Sequence, residues 1–185
     1  YGMVQGLDRS YDAAIFIGYH ARAGSPRGFL AHTGSGAVKG LWLNGIEVGE
    51  GGLNTYFAGE MNVPIILAAG DDVFTEQFGK LVNCELVITK NAITAQVAEL
   101  KHGIIVQKEL SIATTRALKS IKTKKPVKFK DSVQIRLKFS TPTHAEILQA
   151  IPGMKWIDGY TVQYNSTNMV EAYALIRLMY RYVKP

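Results

Sequence analysis

The stretch "VPIILAAGDDVFTEQFGKLV", residues 63–82, decides the fold class of this chain. It opens with an apolar run that ends in glycine, as in a strand buried on both faces of a parallel sheet. The rest of the stretch predicts a helix, and the aspartates at its start can cap the first turn. A strand followed at once by a helix is the repeating unit of α/β proteins.

The same rhythm extends toward the N-terminus. Residues 13–18 form another short apolar run ending in glycine, which predicts a second buried strand of the same parallel sheet. "KGLWLNGIEVGE" predicts a hairpin, because apolar residues alternate on both sides of an Asn44-Gly45 turn. "GGLNTYFAGEMN" has its large apolar residues at helical spacing. The first half of the chain therefore predicts strands alternating with helices.

After Cys84 the rhythm changes. "ELVIT" and "GIIVQ" predict short strands, and residues 110–121 predict a helix. "SVQIRLKFS" alternates strictly, as a half-exposed strand does, and "KWIDGYTVQY" is also typical of a strand. "TPTHAEILQAI" predicts a short helix with a capping box from Thr143 to Glu146, which leaves His144 exposed.

A final helix is predicted to open at Asn168, with Glu171 placed to reach back to its start. Its apolar stripe faces either a core or a partner and comprises Met169, Ala172, Tyr173, Ile176 and Tyr180. The change of pattern predicts a boundary near residues 84–105, with an α+β lobe after it.

Composition excludes few function classes. A chain of 185 residues that is 47% hydrophobic can bury one full core, or a core with a smaller appended lobe. No apolar stretch approaches the roughly 18 residues of a membrane span, so we expect a soluble protein with no membrane partner. Cys84 is the only cysteine, which excludes an intrachain disulfide and fits an intracellular compartment.

The net charge of +6 is local. "KSIKTKKPVKFK", residues 119–130, contains six lysines and no acidic residue, so the rest of the chain is neutral. A nucleic-acid surface interleaves arginines and aromatic residues with its lysines, whereas Phe129 is nearly alone here. We therefore favour a solvated connector over a binding site for an anionic partner, and we expect no nucleic-acid partner.

Three residues are candidates for chemistry. His20 follows the carboxyl end of an apolar strand, where α/β sheets bind ligands, and imidazole is the commonest transition-metal ligand. A lone histidine at a strand end is nevertheless more often structural. His32 follows the "RAGSPRG" loop, where an acid–base group could sit. Glu50 either compensates a helix dipole or, because its flanking glycines permit close backbone approach, contacts a metal or a substrate.

Other candidates are weaker. Asp71 and Asp72 could bind a metal as a pair, but capping of the next helix is favoured. His102 lies in a turn-like segment, and Cys84 has no histidine or glycine-rich turn near it in sequence to activate a thiol. The chain contains no phosphate loop, dinucleotide fingerprint or HExxH helix.

Taken together, several segments resemble the zinc-dependent D-aminopeptidase family typified by the enzyme of the bacterial dipeptide-transport operon. They are "GLD", "FIGYHARAGSPRG", "LAHT", "LNGIEVGEGGLNTYFAGEMNVPIILAAGDD" and "MVEAY". The resemblance covers nearly the whole chain and is densest over residues 18–72. It implies a cytoplasmic, binuclear zinc peptidase that releases N-terminal D-residues, such as D-alanine, from short peptides. It also implies a homo-oligomer in the form of a decamer of two stacked pentameric rings.

The resemblance also assigns roles to the three candidates. His20 corresponds to a ligand of one zinc ion, Glu50 to a ligand of the other, and His32 to the catalytic group beside the metals. No other cofactor is implied.

One departure from the family concerns the remaining ligands. The family begins with a strand that carries an Asp-x-Glu pair of zinc ligands, and this chain opens at Tyr1 in what corresponds to mid-domain. We therefore expect a mainly parallel α/β sheet flanked by helices, incomplete at its N-terminus, followed by a smaller α+β lobe. Residues 1–90 would be part of the metal-binding domain and residues 91–185 the lobe.

A chain without those ligands should be inactive by itself and should bind zinc weakly. The alternative hypothesis is a non-catalytic, ring-forming binding protein that keeps the fold but lacks a complete metal centre. An enzyme of unrelated chemistry is a distant third hypothesis.

Overall fold

The computed structural model describes residues 2–181, in which nine strands and five α-helices form two sheets with their covering layers. The strands are β1 (Ala14–Tyr19), β2 (Val38–Leu43), β3 (Ile46–Glu47), β4 (Ile65–Asp71), β5 (Glu85–Ala92), β6 (Ala98–Leu100), β7 (Val133–Phe139), β8 (Lys155–Asp158) and β9 (Thr161–Ser166). The helices are α1 (Glu50–Glu60), α2 (Asp72–Leu81), α3 (Gly103–Lys119), α4 (Pro142–Ile147) and α5 (Met169–Arg181).

The first sheet has the strand order β1-β4-β5-β6. Strand β4 pairs in parallel with both β1 and β5, and the short β6 turns back antiparallel on β5. Every residue of β4 is buried, as the continuous apolar run at residues 63–70 predicts for a central parallel strand. The carboxyl ends of β1 and β4 therefore meet at one edge of this sheet.

The second sheet has the order β3-β2-β7-β9-β8 and is antiparallel throughout. The predicted β2–β3 hairpin is confirmed, and both turn residues, Asn44 and Gly45, have the positive φ that a two-residue hairpin turn of this kind requires. Helix α1 contacts both β1 and α5, so it lies between the two sheets and is buried along most of its length.

The predicted fold class is confirmed: a mainly parallel sheet flanked by helices is combined with an antiparallel sheet and its helices. The division of the chain at residue 90 stays a prediction about domains. The hydrogen bonding shows that β2 and β3, which precede that position, pair with β7, which follows it. No helix within residues 2–181 has both the length and the apolar character needed to cross a bilayer.

The strand predicted at residues 13–18 forms, but it is not buried on both faces. It lies at the edge of the first sheet, where Ile15 and Ile17 are 41% and 57% exposed. Phe16, which points to the opposite face, is buried against Tyr19 and Phe78. The apolar run alone could not distinguish a central strand from an edge strand, because position in a sheet depends on the neighbours.

The prediction of a strand at "GIIVQ" is wrong. These residues form the first turns of α3, which begins at Gly103 after His102, whose Nδ1 accepts a hydrogen bond from the Ile104 amide. A short run of β-branched residues fits a strand and a helix equally well when no periodicity decides between them. Tertiary packing decides here, since Ala113 and Ala117 of the same helix lie buried on the first sheet.

The capping box predicted at Thr143 is also wrong, and so is the exposure predicted for His144. Helix α4 begins one residue earlier, at Pro142, and Thr141 is its N-cap residue without a side-chain cap. His144 is buried, lies 2.9 Å from the Thr141 hydroxyl through Nδ1, and stacks on Phe139 with ring centroids 5.1 Å apart. Proline is favoured in the first helical turn, which explains the earlier start.

The predicted start of α5 is confirmed. The Asn168 side chain accepts a hydrogen bond from the Glu171 amide, and the Glu171 carboxylate reaches back to the Thr167 amide, as the sequence predicts. The apolar stripe faces a core and not a partner, because all of its members are buried in the largest cluster of apolar residues.

The lysine-rich connector is more than a solvated linker. Val127 and Phe129 are half-buried against the core, and the Phe129 ring stacks on Tyr56 of α1 with centroids 4.0 Å apart. Lys124 and Lys128 donate hydrogen bonds to Asn83 and Asn62 respectively. The connector therefore docks on the first half of the chain through alternate apolar residues.

Candidate active site

One loop carries both histidines of the candidate site. It runs from the end of β1 to the start of β2 and doubles back on itself, because the His32 amide donates to the Ala21 carbonyl at 3.2 Å. The Ala23 amide donates to the buried Thr33 hydroxyl at 3.0 Å and reinforces the reversal. As a result the rings of His20 and His32 lie with centroids 5.2 Å apart.

The outer part of the loop is tied to the first sheet. Arg27 forms an ion pair of 3.1 Å with Asp72 and donates to the Ala92 carbonyl, while the Leu30 amide donates to the Ala95 carbonyl. Arg27 and Leu30 both have positive φ, which is uncommon for residues with a side chain. Such backbone persists only where surrounding contacts hold it, and these contacts hold His32 toward β1.

Glu50 reaches the same place from the hairpin. It is the first residue of α1 and follows Gly49, at which a Cβ atom would lie 2.9–3.0 Å from Arg22. A side chain at position 49 would therefore push α1 away from the histidine loop. Glu50 Oε2 lies 3.2 Å from His32 Nε2.

The two ring nitrogens of His32 both face acceptors. Nδ1 lies 2.7 Å from the Leu30 carbonyl oxygen, and Nε2 faces the Glu50 carboxylate. A neutral imidazole carries only one N–H, so the second contact is satisfied only when a proton or a metal ion lies between the nitrogen and the oxygen that face each other. This pairing can hold or move a proton at Nε2.

His20 is half-buried at the carboxyl edge of the sheet, next to Tyr19, which pairs with Gly70 of β4. Burial lowers the pKa of His20, and the neighbouring His32 adds to this effect. The lowered pKa favours the neutral imidazole, which is the form that binds metals. Among the described residues no group meets hydrogen-bond geometry with the buried Nδ1 of His20, although the Phe29 backbone lies near the ring and partly offsets the lowering of its pKa.

The donors at this site fit zinc in kind. Imidazole nitrogen and carboxylate oxygen are both zinc ligands. The buried Nδ1 of His20 is a nitrogen whose lone pair a metal ion would satisfy. The ligand atoms are too few for a complete metal centre, since residues 2–181 contain no group of three His, Cys, Asp or Glu side chains able to hold a metal ion. Zinc sites use three or four protein ligands, so these residues supply part of a set.

The weaker candidates from the sequence, Asp71, Asp72 and Cys84, lie in surroundings that indicate structural roles. Asp71 caps α2 by accepting from the Phe74 amide at 3.0 Å, although its Oδ2 is buried without a partner among residues 2–181. Asp72 accepts from the Ala92 amide at 2.7 Å and pairs with Arg27. Burial raises the pKa of Cys84 to about 11, so its thiol is a poor nucleophile.

A cavity of about 260 Å³ opens beside His20, between the hairpin and α2. Its floor is apolar, with Phe74 and Phe78, and its rim is polar, with Arg22 and Glu47 joined by an ion pair of 2.9 Å. The Arg22 amide also donates to the Gln77 side chain at 3.1 Å. An apolar recess with a few polar groups next to titratable residues is the usual form of a substrate pocket.

Sequence reasoning missed a buried polar chain behind the site. The Asn54 side chain of α1 donates to the Tyr19 hydroxyl at 2.8 Å and accepts from the Tyr173 hydroxyl of α5 at 2.8 Å. Asn54 stands one helical turn after Glu50, and both Asn54 and Tyr19 lie within the motif segments quoted above. The partners of Asn54 are 35 and 119 residues away, so spacing could not have identified them.

Comparison with known proteins identifies the family. The family model described as D-aminopeptidase, peptidase M55, matches residues 1–178. The chain therefore belongs to the D-aminopeptidase family. The resemblance drawn from its motifs is confirmed.

Two relatives illustrate the similarity. The chain is 32% identical over 181 residues to the D-aminopeptidase of Bacillus subtilis strain 168, covering 97% of this chain and 66% of that protein. It is also similar to the solved structure of the zinc-dependent D-aminopeptidase DppA from Bacillus subtilis, a self-compartmentalizing protease. That similarity has a TM-score of 0.92 at 32% identity and covers 97% of this chain and 66% of the other. The chain thus spans just under two thirds of the length of these relatives.

Proposed function

We propose that this chain provides the histidine-bearing part of a zinc-dependent aminopeptidase that releases N-terminal D-amino acids, such as D-alanine, from short peptides. The observation that carries the proposal is the convergence of His20, His32 and Glu50 at the carboxyl edge of the first sheet, with His32 Nε2 3.2 Å from Glu50 Oε2. Family membership and the zinc-dependent relative support the same chemistry.

In this proposal the protein holds two zinc ions. His20 is a ligand of one ion and Glu50 of the other, and the remaining ligands come from outside residues 2–181. The ligand deficit within residues 2–181 supports this division. When bound, a zinc pair lowers the pKa of a bound water and polarises the scissile carbonyl.

His32 is the catalytic residue. Its Nε2 faces the place where the metals and the substrate would meet, while the Leu30 carbonyl at 2.7 Å fixes the ring from the other side. A ring fixed in this way can pass a proton to the leaving amine or stabilise charge on the tetrahedral intermediate. The cavity beside His20 offers room for one end of a short peptide.

The assembly is a homo-oligomer, with a decamer of two rings as the proposed form. The support is a large exposed apolar surface at α3 and the β5–β6 hairpin, where Leu100 and Ile104 are each 70% exposed. Ile93, Val97, Ile105 and Ile112 belong to the same region and are also exposed. Clusters of this kind mark interaction sites. The relative described as a self-compartmentalizing protease fits such an assembly.

Hydrolysis of D-alanyl-D-alanine tests the function. The protein produced from its complete reading frame is assayed with zinc, and L-alanyl-L-alanine is the control substrate. We expect release of D-alanine from the first substrate only, and loss of activity with a chelator. A protein that contains zinc but cleaves neither peptide would overturn the peptidase proposal and favour a binding protein of the same fold. Rapid hydrolysis by residues 1–185 alone would contradict the proposed origin of the missing ligands.

Light scattering tests the assembly. Ile104→Asp places a charge on the proposed contact surface, and Ile157→Asp, at an exposed position on β8, is the matched control. We expect Ile104→Asp to reduce the oligomer mass and Ile157→Asp to leave it unchanged. A wild-type protein that is monomeric at micromolar concentration would refute the oligomer.

A further inference from the structure

We propose that Asn54 is a positioning residue, which fixes the end of β1 that carries His20 against the start of α1 that carries Glu50. The inference rests on the proposed function, because it gives Asn54 the task of holding two metal-ligand segments in register. Nothing in the motifs around His20 or Glu50 indicates this task.

Each of the two hydrogen bonds of Asn54 has a defined donor and acceptor. Nδ2 of an amide can only donate and Oδ1 can only accept. Asn54 Nδ2 therefore donates to the Tyr19 hydroxyl oxygen, and the Tyr173 hydroxyl donates to Asn54 Oδ1, each at 2.8 Å. Both bonds are within the usual range for strong side-chain hydrogen bonds.

The burial of this group makes the bonds hard to replace. Asn54 is 1% exposed, and the rings of Tyr19 and Tyr173 are also buried. A buried amide that loses a partner is left without water to take its place, so the arrangement that satisfies both bonds is strongly preferred. A packing role alone could be filled by leucine, which has a similar shape and no bonds to satisfy.

The position of these two hydrogen bonds connects them to the candidate site. Tyr19 immediately precedes His20, and Asn54 stands one helical turn after Glu50, so one amide joins the backbone segments of both candidate ligands. Tyr173 anchors the amide from α5, and its own ring packs on Phe57 of α1 with centroids 4.7 Å apart. The amide thus links β1, α1 and α5 at one point.

Three variants separate positioning from packing. Asn54→Leu removes both hydrogen bonds and keeps a branched side chain at this position. Tyr173→Phe removes the hydroxyl that donates to Asn54 Oδ1 and changes neither candidate ligand segment. Tyr56→Phe, a buried tyrosine of the same helix that stacks on Phe129, is the matched control. Chemical denaturation of each variant records its free energy of unfolding.

The decisive readout is the geometry of the metal-free site. The chain has only four histidines, so selectively labelled protein gives resolved imidazole signals, and His102 and His144 serve as internal references. We expect the nuclear Overhauser effect between His20 and His32, whose rings lie 5.2 Å apart, to weaken in Asn54→Leu and Tyr173→Phe. The reference signals and the Tyr56→Phe protein should be unchanged.

Zinc affinity is the second readout. It is measured on the protein produced from its complete reading frame, by competition with a chromogenic chelator. Loss of outer groups that orient ligands typically lowers metal affinity by about 10–100-fold, so we expect a decrease of about tenfold for Tyr173→Phe. If both variants only lower the free energy of unfolding, with the His20–His32 signal and zinc affinity unchanged, Asn54 is a packing residue and the inference is overturned. Absence of any zinc binding in the wild type would count against the proposed function, whereas the metal-free signal would still test the role of Asn54.

Discussion

The Nε2 atom of His32 lies 3.2 Å from Oε2 of Glu50, although the two residues belong to different elements. His32 is on the loop after β1, and Glu50 begins the helix after the β2–β3 hairpin. The contact exists because Gly49 lets the start of α1 approach Arg22, and because the His32 amide binds the Ala21 carbonyl. Because the contact joins two separate elements, each side chain can be replaced without changing the other.

Replacing His32 should separate catalysis from stability. The side chain is partly exposed and its contact with Glu50 is open to solvent, so His32→Ala should lower the free energy of unfolding by less than about 1 kcal/mol. If His32 is the catalytic residue, kcat of the active enzyme should fall by about 100-fold or more. Zinc content, measured by plasma emission spectrometry, should not change.

Two controls accompany that experiment. His102→Ala changes an exposed histidine at the start of α3 and should leave kcat unchanged. His20→Ala should instead lose zinc and activity together, because His20 is the proposed ligand. Full activity in His32→Ala would contradict its catalytic role.

Two helical glycines should respond differently to alanine. A Cβ at Gly59 of α1 would overlap the Val127 carbonyl of the connector, whereas a Cβ at Gly79 of α2 would meet only the end of the Leu86 side chain, at 2.8 Å. Because backbone cannot move aside as a side chain can, Gly59→Ala should cost about 2 kcal/mol or more. Gly79→Ala should be near neutral, since alanine also raises helix propensity.

Urea denaturation measures both glycine variants. Similar losses in the two proteins would mean that the connector does not dock on α1. Tryptophan fluorescence and circular dichroism should report the same midpoint for each variant if unfolding remains two-state.

Glu171 should contribute a pH-dependent part of stability. Hydrogen bonds from the Thr167 amide, and then from the Thr167 and Ser166 hydroxyls, lower the pKa of this carboxyl from its ordinary 4.5. A group whose pKa is lower in the folded state stabilises that state above the unfolded pKa, and the contribution disappears as pH falls through the folded pKa. Glu171→Gln should therefore lower the free energy of unfolding by about 1 kcal/mol at neutral pH.

The pH series supplies the check on Glu171. The difference between wild type and Glu171→Gln should be constant from pH 7 down to about 5, and it should shrink as the pH drops below 4.5. A difference that stays the same at acid pH would mean that the charge of Glu171 does not contribute.

Cys84 should be slow to react in the folded protein. Burial raises the pKa of its thiol to about 11, so very little thiolate exists near neutral pH. Alkylation by iodoacetamide at pH 8 should be on the order of 100-fold slower than in urea-unfolded protein. Mass spectrometry follows the reaction, and equal rates in the two states would show that the thiol is accessible and reactive.

Local sequence determined much of the fold because its signals are short-range. The apolar run at residues 63–70 could only be a buried strand or a buried helix segment, and its length and glycine end favoured the strand. The Asn44-Gly45 turn and the Asn168–Glu171 start of α5 depend on contacts between residues within four positions of each other. Motif resemblance added His20, His32 and Glu50 as a set.

Burial, the type of one element and the partners of buried side chains depended on residues far away in sequence. Ile15 became exposed because β1 lies at an edge, "GIIVQ" became helical because α3 packs on the first sheet, and His144 became buried beside Phe139. The bonds of Asn54 join residues 35 and 119 positions apart, and no local periodicity encodes a partner at such a distance. Local patterns in the sequence therefore predicted most of the strands and helices, and motif resemblance supplied the candidate residues for the chemistry. The folded chain alone decided which faces are covered and which side chains meet, because burial and long-range hydrogen bonds exist only once the sheets have packed.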